Sequence, residues 1–148
     1  MIGLVQRVAE ARVSVAGEVV GAIGRGLLLF VCAEPDDSDA IADRFAAKVL
    51  ALRVFADDVG RMNLDLAAVG GALLVVSQFT LAADTSRGNR PSFIGAAGAE
   101  RGRALYERVV AAARRLHAGS VACGEFGADM QVALVNDGPV TIPITLRG

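Results

Sequence analysis

The sequence predicts an α+β fold in a single domain over residues 1–148, with a largely antiparallel or mixed β-sheet and two packed helices. Three observations carry that expectation. Two continuous apolar runs, Leu27–Cys32 and Ala72–Ser77, have the length and composition of strands buried on both faces. Two stretches repeat apolar residues at helical spacing: Ile41, Phe45, Val49 and Leu52, then Leu105, Val109, Ala113 and Leu116. The last third of the chain lacks that spacing and reads as short strands. The order strands, helix, strand, helix, strands builds an α+β arrangement of layers.

Residues 2–9, with Leu4 and Val8 set about Arg7, predict the first strand. Val13 and Val15 alternate with polar neighbours, Ala16-Gly17-Glu18 makes a turn, and Val19–Ile23 follows as a strand. Gly24-Arg25-Gly26 then breaks the chain ahead of Leu27–Cys32. Pro35-Asp36-Asp37-Ser38-Asp39 is a helix-start signal, because its side chains can cap free amides and its negative charge suits a first turn. This first helix is expected to end near Arg53. Asp57–Gly60 reads as a turn and Asn63–Gly71 as a loop or short irregular segment. Beyond Ala72–Ser77, residues 82–98 form a loop long enough to carry function. The second helix spans Ala99–Leu116 and bears Arg101, Arg103, Glu107, Arg108, Arg114 and Arg115 on its polar side. Ser120–Cys123, Met130–Val135 and Val140–Leu146 are the closing strands, with Asn136-Asp137-Gly138-Pro139 as the turn between the last two. Pro143 lacks an amide hydrogen and points to an edge strand.

A chain of 148 residues can bury one substantial core. With 53% hydrophobic and 21% charged residues it is not a disordered tail. No apolar run reaches the ~18 residues of a membrane helix, and no basic-then-apolar signal region opens the chain, so a cytoplasmic protein without a membrane partner is expected. Fifteen basic and sixteen acidic residues give a net charge of −1. That balance excludes a protein that grips long nucleic acid by general electrostatics, but it permits a local contact with one RNA end. Cys32 and Cys123 stand in no metal-ligand or redox spacing, and both lie in apolar runs as expected of buried, reduced thiols.

The inventory of catalytic side chains is short. His117 is the only histidine and sits at the end of the second helix, where it favours the negative helix terminus. There is no Gly-x-Ser-x-Gly elbow, and no His, Cys and carboxylate cluster for a metal. The glycines of Gly21–Gly26 precede a strand, whereas a nucleotide-binding loop opens a helix, so no cofactor is expected. What remains is hydroxyls, backbone and shape. Ser77 and Thr80, with Gln78 and Phe79 between them, stand at a strand end. Their hydroxyls either satisfy loose backbone groups or accompany backbone N–H groups aimed at a polarised carbonyl. Arg87 and Arg90 flank Gly88-Asn89, as a solvated loop or as contacts to RNA phosphates. Phe93, Phe126 and Met130 offer a slot for a base, or core packing. Gly138-Pro139 couples a residue free to adopt unusual φ with one whose φ is fixed, in the only class of peptide bond where cis lies within roughly 0.5–1 kcal/mol of trans.

Ser77-Gln78-Phe79-Thr80-Leu81 together with Asn136-Asp137-Gly138-Pro139-Val140-Thr141 resembles the motif pair of the D-aminoacyl-tRNA deacylases. The likeness extends to Gln6-Arg7-Val8, Met62-Asn63-Leu64, Asp84-Thr85, Arg90-Pro91-Ser92-Phe93 and Phe126–Met130, in order over nearly the whole chain. It implies the fold of that family, a barrel-like sheet with two helices, and hydrolysis of the ester between a D-amino acid and the 3′-terminal adenosine of tRNA. Glycine mischarged on tRNA can also be a substrate in the family.

The resemblance further implies a homodimer with both active sites at the interface, each Gly138-Pro139, in cis, reaching into the partner's site. There its backbone carbonyls would exclude an L-side chain, with Asn136, Val140 and Thr141 alongside and Arg7 steadying the segment. Ser77, Gln78, Phe79 and Thr80 would line the catalytic pocket. Thr80 would act as a nucleophile, or the tRNA 2′-hydroxyl would assist in its place. Arg87 and Arg90 would meet tRNA, while Phe126 and Met130 would border the adenosine. The chain departs from the family in the Ser86–Arg90 loop, which is less basic than usual and implies weaker tRNA affinity or an altered salt dependence. Two other readings stand beside this one: a non-catalytic nucleic-acid-binding module using Arg87–Arg90, and a different small-ester or amide hydrolase with Thr80 as nucleophile.

Overall fold

A computed structural model describes all of Met1–Gly148. The chain opens with one long strand, β1 (Ile2–Val15), and turns at Ala16 and Gly17, both with positive φ, into β2 (Glu18–Ile23). That is the two-residue turn whose twist suits a hairpin. After a break at Gly24-Arg25 the chain continues as β3 (Gly26–Cys32). β2 and β3 keep a common register on β1, with Ala11 facing Ile23 and Val8 facing Gly26. Helix α1 (Asp39–Leu50) starts where Ser38 accepts a hydrogen bond from the Ile41 amide at 3.3 Å. A small ribbon of β4 (Phe55–Ala56) and β5 (Met62–Leu64) follows. β6 (Ala72–Ser77) then lies parallel to β3, and helix α2 (Ala99–Leu116) returns the chain to β7 (Val121–Cys123), parallel to β6.

The last strand, β8 (Met130–Thr145), runs antiparallel along the whole of β1. The result is a mixed six-stranded sheet. Its far side curls back on its start: Gly21 of β2 lies so near β7 that a Cβ there would stand 2.5 Å from the Cys123 carbonyl oxygen. The sheet is therefore a nearly closed barrel, and α1 and α2 pack against its outside. Val5, Leu27, Leu29, Leu73 and Val75 meet Phe45, Val49, Leu105 and Val109 of the helices in the larger core. Val8, Ala11, Val13, Leu28, Leu74 and Val76 form a second cluster on the opposite face of the sheet. The Met1 ammonium is buried and donates to Glu34 Oε2, Asp37 Oδ1 and the Leu146 carbonyl at 2.7–2.8 Å, tying β1 to the β3–α1 connection and to the end of the chain.

Several expectations need correction. Asn136–Pro139 is not a turn between two strands, because β8 passes through it and pairs with β1 on both sides. Gln6 faces Thr141 and Val8 faces Asn136, so Asp137–Val140 bulge out opposite Arg7 alone. The first helix stops at Leu50, with Ala51 as its cap, and the Leu52 amide bonds back to the Val49 carbonyl in a tighter turn. Residues Asn63–Gly71 begin inside β5, where Leu64 pairs with Phe55, and do not form one irregular loop. Residues 2–9 and 13–15 belong to one strand. Cys32 is buried, but Cys123 is only half-buried, with Arg114 Nη2 at 3.8 Å from its sulfur. Other expected elements are present: β3 and β6 are buried on both faces, α2 spans the expected residues, and β8, with Pro143, pairs on one side only.

The bulge has a packing cause. Met130, Val132 and Leu134 of β8 pack on the second cluster, whereas Val140, Ile142 and Ile144 pack on the larger one. All six numbers are even, so unbroken alternation would place them on one face. β1 changes face at the same level, where Ala9 has no partner on β8. The edge of the sheet thus passes from covering the helices to covering the other core, and the extra residues at Asp137–Val140 accommodate the change.

Strand β3 approaches β6 with no room to spare at Gly26, where an added Cβ would stand 1.8 Å from the Ala72 carbonyl oxygen. Gly26→Ala is expected to lower stability by about 2 kcal/mol or more in urea unfolding with little change in m, the upper range of overpacking costs. A loss below about 0.5 kcal/mol would mean that the two strands part locally at no cost.

Candidate active site

The carboxyl ends of the parallel strands β3 and β6 lie side by side, a place where parallel sheets open a crevice for ligands. Ser77 ends β6 opposite Val31, and the Gln78 amide still donates to the Val31 carbonyl at 2.9 Å. The chain then tightens into a 3₁₀ turn over Phe79–Ala82. The first amides of such a turn have no partner within it, so this is a natural position for backbone donors to face a ligand.

Two clefts meet here. One, of about 520 Å³, is bordered by Ser77, Phe79, Phe93, Phe126, Gly127 and the start of α2. The other, of about 260 Å³, is bordered by Ser77, Gln78, Phe79, Asp129 and Met130. The structure thus brings Ser77, Gln78 and Phe79 together with Phe126 and Met130, which lie some fifty positions further along the chain. Phe93 meets Phe79 edge-to-face at 5.1 Å between ring centroids. Beneath them is a small cavity that Cys32 and Tyr106 help to line. Burial raises the Cys32 thiol above its usual range, and the nearby charge of Glu34 adds to this. Burial also pushes up the Tyr106 phenol, which donates to the Val75 carbonyl at 3.1 Å. Both groups stay protonated and serve packing.

Other residues singled out in the sequence lie apart from these clefts. The Thr80 hydroxyl accepts a hydrogen bond from Gln78 Nε2 and borders neither cleft. Arg87 and Arg90 are exposed at the tip of a loop pinned by the paired backbones of Asp84 and Ser92, and neither has a carboxylate partner. His117 is buried, and its Nε2 lies 2.9 Å from the Gly71 carbonyl, so its ring fastens the end of α2 to the entry of β6.

Gly138-Pro139, in cis, sits in a second constellation. Arg7 Nε donates to the Asp137 carbonyl at 3.1 Å and lies 3.3 Å from its carboxylate, while Arg7 Nη1 donates to the Val54 carbonyl at 2.6 Å. Asn136 bridges the excursion, accepting from the Val140 amide at 3.2 Å and donating to Thr141 Oγ at 2.8 Å. Gln6 reaches the same hydroxyl at 3.2 Å. Sequence reading anticipated Arg7 but missed Val54, whose contribution is a backbone carbonyl and leaves no mark in residue type. The two clefts above take no lining from Gly138 or Pro139.

The family profile described as D-Tyr-tRNA(Tyr) deacylase matches residues 4–145. The chain belongs to that family. It is 64% identical over 146 residues to the D-aminoacyl-tRNA deacylase of Methylibium petroleiphilum, covering 99% of this chain and 95% of that one. It is 65% identical to the D-aminoacyl-tRNA deacylase of Azoarcus sp., covering 99% and 96%. Among solved structures it superposes on c-Myc DNA Unwinding Element Binding Protein with a TM-score of 0.94, at 35% identity and with 100% of each chain covered. A probable eukaryotic D-amino acid tRNA deacylase shares the fold, with a TM-score of 0.85 at 17% identity and 97% of each chain covered. As a deacylase the chain is a hydrolase.

Gly138 has a φ of +131°, and a Cβ on it would stand 2.9 Å from Arg7 Nη2 and from Val140. Gly138→Ala is therefore expected to fold with the excursion displaced, at a stability cost of about 1–3 kcal/mol. Thermal unfolding of this variant beside Arg7→Ala tests it. Equal, negligible shifts in both would show that the segment is not held by Arg7.

Proposed function

We propose that the chain hydrolyses the ester joining a D-amino acid to the 3′-terminal adenosine of tRNA, releasing the free D-amino acid and tRNA, with glycyl-tRNA as a further substrate. The observation that carries the mechanism is chemical poverty at both motifs. Their only ionisable side chain is Asp137, and it is ion-paired to Arg7. Backbone amides at the start of the Phe79–Ala82 turn hold and polarise the ester carbonyl as an oxyanion hole does. The 2′-hydroxyl of the terminal ribose assists the attack of water, the acyl carbon–oxygen bond breaks, and the 3′-oxygen leaves with a proton. Phe126 and Met130 border the adenine, and Arg87 and Arg90 meet tRNA phosphates.

The site is completed by a second copy of the chain. Within one chain Gly138-Pro139 is held elsewhere than at the clefts, and Phe79 and Phe93, which border the larger one, leave 59% and 36% of their surface exposed. In the homodimer the Gly138 and Pro139 carbonyls of one copy stand against the substrate's α-carbon in the other. An L-side chain collides with them and a D-side chain points away. We place the enzyme in the cytoplasm, with its tRNA substrate, as one functional unit over residues 1–148.

With catalytic amounts of protein, D-tyrosyl-tRNA should be deacylated and L-tyrosyl-tRNA should stay at the uncatalysed rate. Equal, background release from both would sink the reading. Thr80→Ala should keep its rate within about tenfold of the unchanged protein, since loss of one hydrogen-bonding hydroxyl amounts to about 1.4 kcal/mol or less. Abolished turnover in a folded Thr80→Ala protein would favour a covalent threonine route instead.

A further inference from the structure

We propose that the groove between α2 and the Cys123–Phe126 segment holds the phosphates of the unpaired nucleotides that precede the terminal adenosine, with Arg103 and Arg114 as the contacts. The inference rests on the deacylase reading and extends its site. The groove has a volume of about 320 Å³ and is bordered by Arg103, Glu107, Arg114, Cys123, Glu125 and Phe126. It adjoins the larger cleft, since Phe126 borders both. Arg103 sits at the junction, its guanidinium 4.8 Å from the centre of the Phe126 ring. A cation over an aromatic at the mouth of a base-sized cleft is the pairing that single-stranded nucleic acid exploits.

The arginines of α2 divide into two sets. Arg101 and Arg108 are ion-paired to Asp39 and Asp43 of α1, and Arg115 adds its charge near Asp43. Arg103 and Arg114, on the groove side, have no carboxylate within 4.0 Å. From Arg103 to Arg114 the helix rises roughly 16 Å at 1.5 Å per residue, enough for a short single strand laid alongside it. Glu107 and Glu125 also border the groove and limit general attraction, so contact is confined to a strand already anchored by its terminal adenosine in the adjoining cleft.

The test compares D-tyrosyl-tRNA with D-tyrosyl-adenosine, which carries the ester but no preceding phosphate. In Arg103→Gln/Arg114→Gln, kcat/KM for the tRNA should fall about tenfold relative to the adenosine ester, mostly through KM. The dependence of log(kcat/KM) on log salt should flatten by about 1.4, the value for two phosphates on a single strand. Arg114→Gln alone, distant from Phe126, should give about half of each effect. An unchanged ratio and salt slope would overturn the proposal. So would an equal fall on both substrates, since that would mean the arginines merely support Phe126. If the unchanged protein cleaves neither substrate, the deacylase reading fails first; if it cleaves both and the variants match it, only the groove fails.

Discussion

Everything distinctive about the Gly138-Pro139 segment depends on β8 remaining paired to β1 on both sides of it. Gln6 with Thr141 and Val8 with Asn136 fix the two ends of the excursion to positions two residues apart on β1. Arg7 is the residue between them. Its guanidinium supplies donors in a rigid fork, so it can grip the Asp137 carbonyl and the Val54 carbonyl together. Lysine in its place could satisfy one partner but not both. The excursion is therefore held by the ladder at its base and by a planar cation at its side. A segment fixed in this way can exclude a side chain by shape, which a mobile loop cannot do.

The same economy governs the other motif. β6 ends beside β3 with its backbone pairing almost satisfied, and the 3₁₀ turn that follows sets its first amides where no internal acceptor reaches them. The groups near it with shifted pKa values, Cys32 and Tyr106, are shifted by burial toward their neutral forms. They do not provide a base or a nucleophile near neutral pH. The proposed chemistry at this place rests on fixed dipoles and on the substrate's own hydroxyl, for which rigidity of the surrounding strands is the requirement.

Much of the fold was legible because its signals are local. Apolar runs and helical spacing located β3, β6, α1 and α2 directly, since burial on both faces or on one stripe imposes those patterns. The continuity of β8 was not legible. Asn-Asp-Gly-Pro carries a strong local turn signal, but pairing with a strand some 130 positions away decides the outcome. The motifs located Ser77–Phe79 and Arg7, and the pairing of Phe126–Met130 with Ser77–Phe79 followed from their joint likeness to a family. Val54 escaped because it acts through a carbonyl. Thr80 was placed correctly in sequence but borders neither cleft within one chain.

The arginines of α2 show why charge counts alone mislead. A helical projection puts five of them on the polar side, and a net charge of −1 argues against broad attraction to nucleic acid. Packing sorts them. Those facing α1 are matched by Asp39 and Asp43, exposed pairs that add little stability but cancel local charge. Arg103 and Arg114 are left without a direct ion pair on the side that adjoins Phe126, sharing that groove with Glu107 and Glu125. On the groove reading, a near-neutral chain offers unpaired guanidiniums where a strand would leave the cleft, while Glu107 and Glu125 keep the groove from attracting nucleic acid at large. For an enzyme that must release its tRNA after each turnover, a few placed contacts serve better than a basic face, because each added phosphate contact slows release as well as strengthening capture.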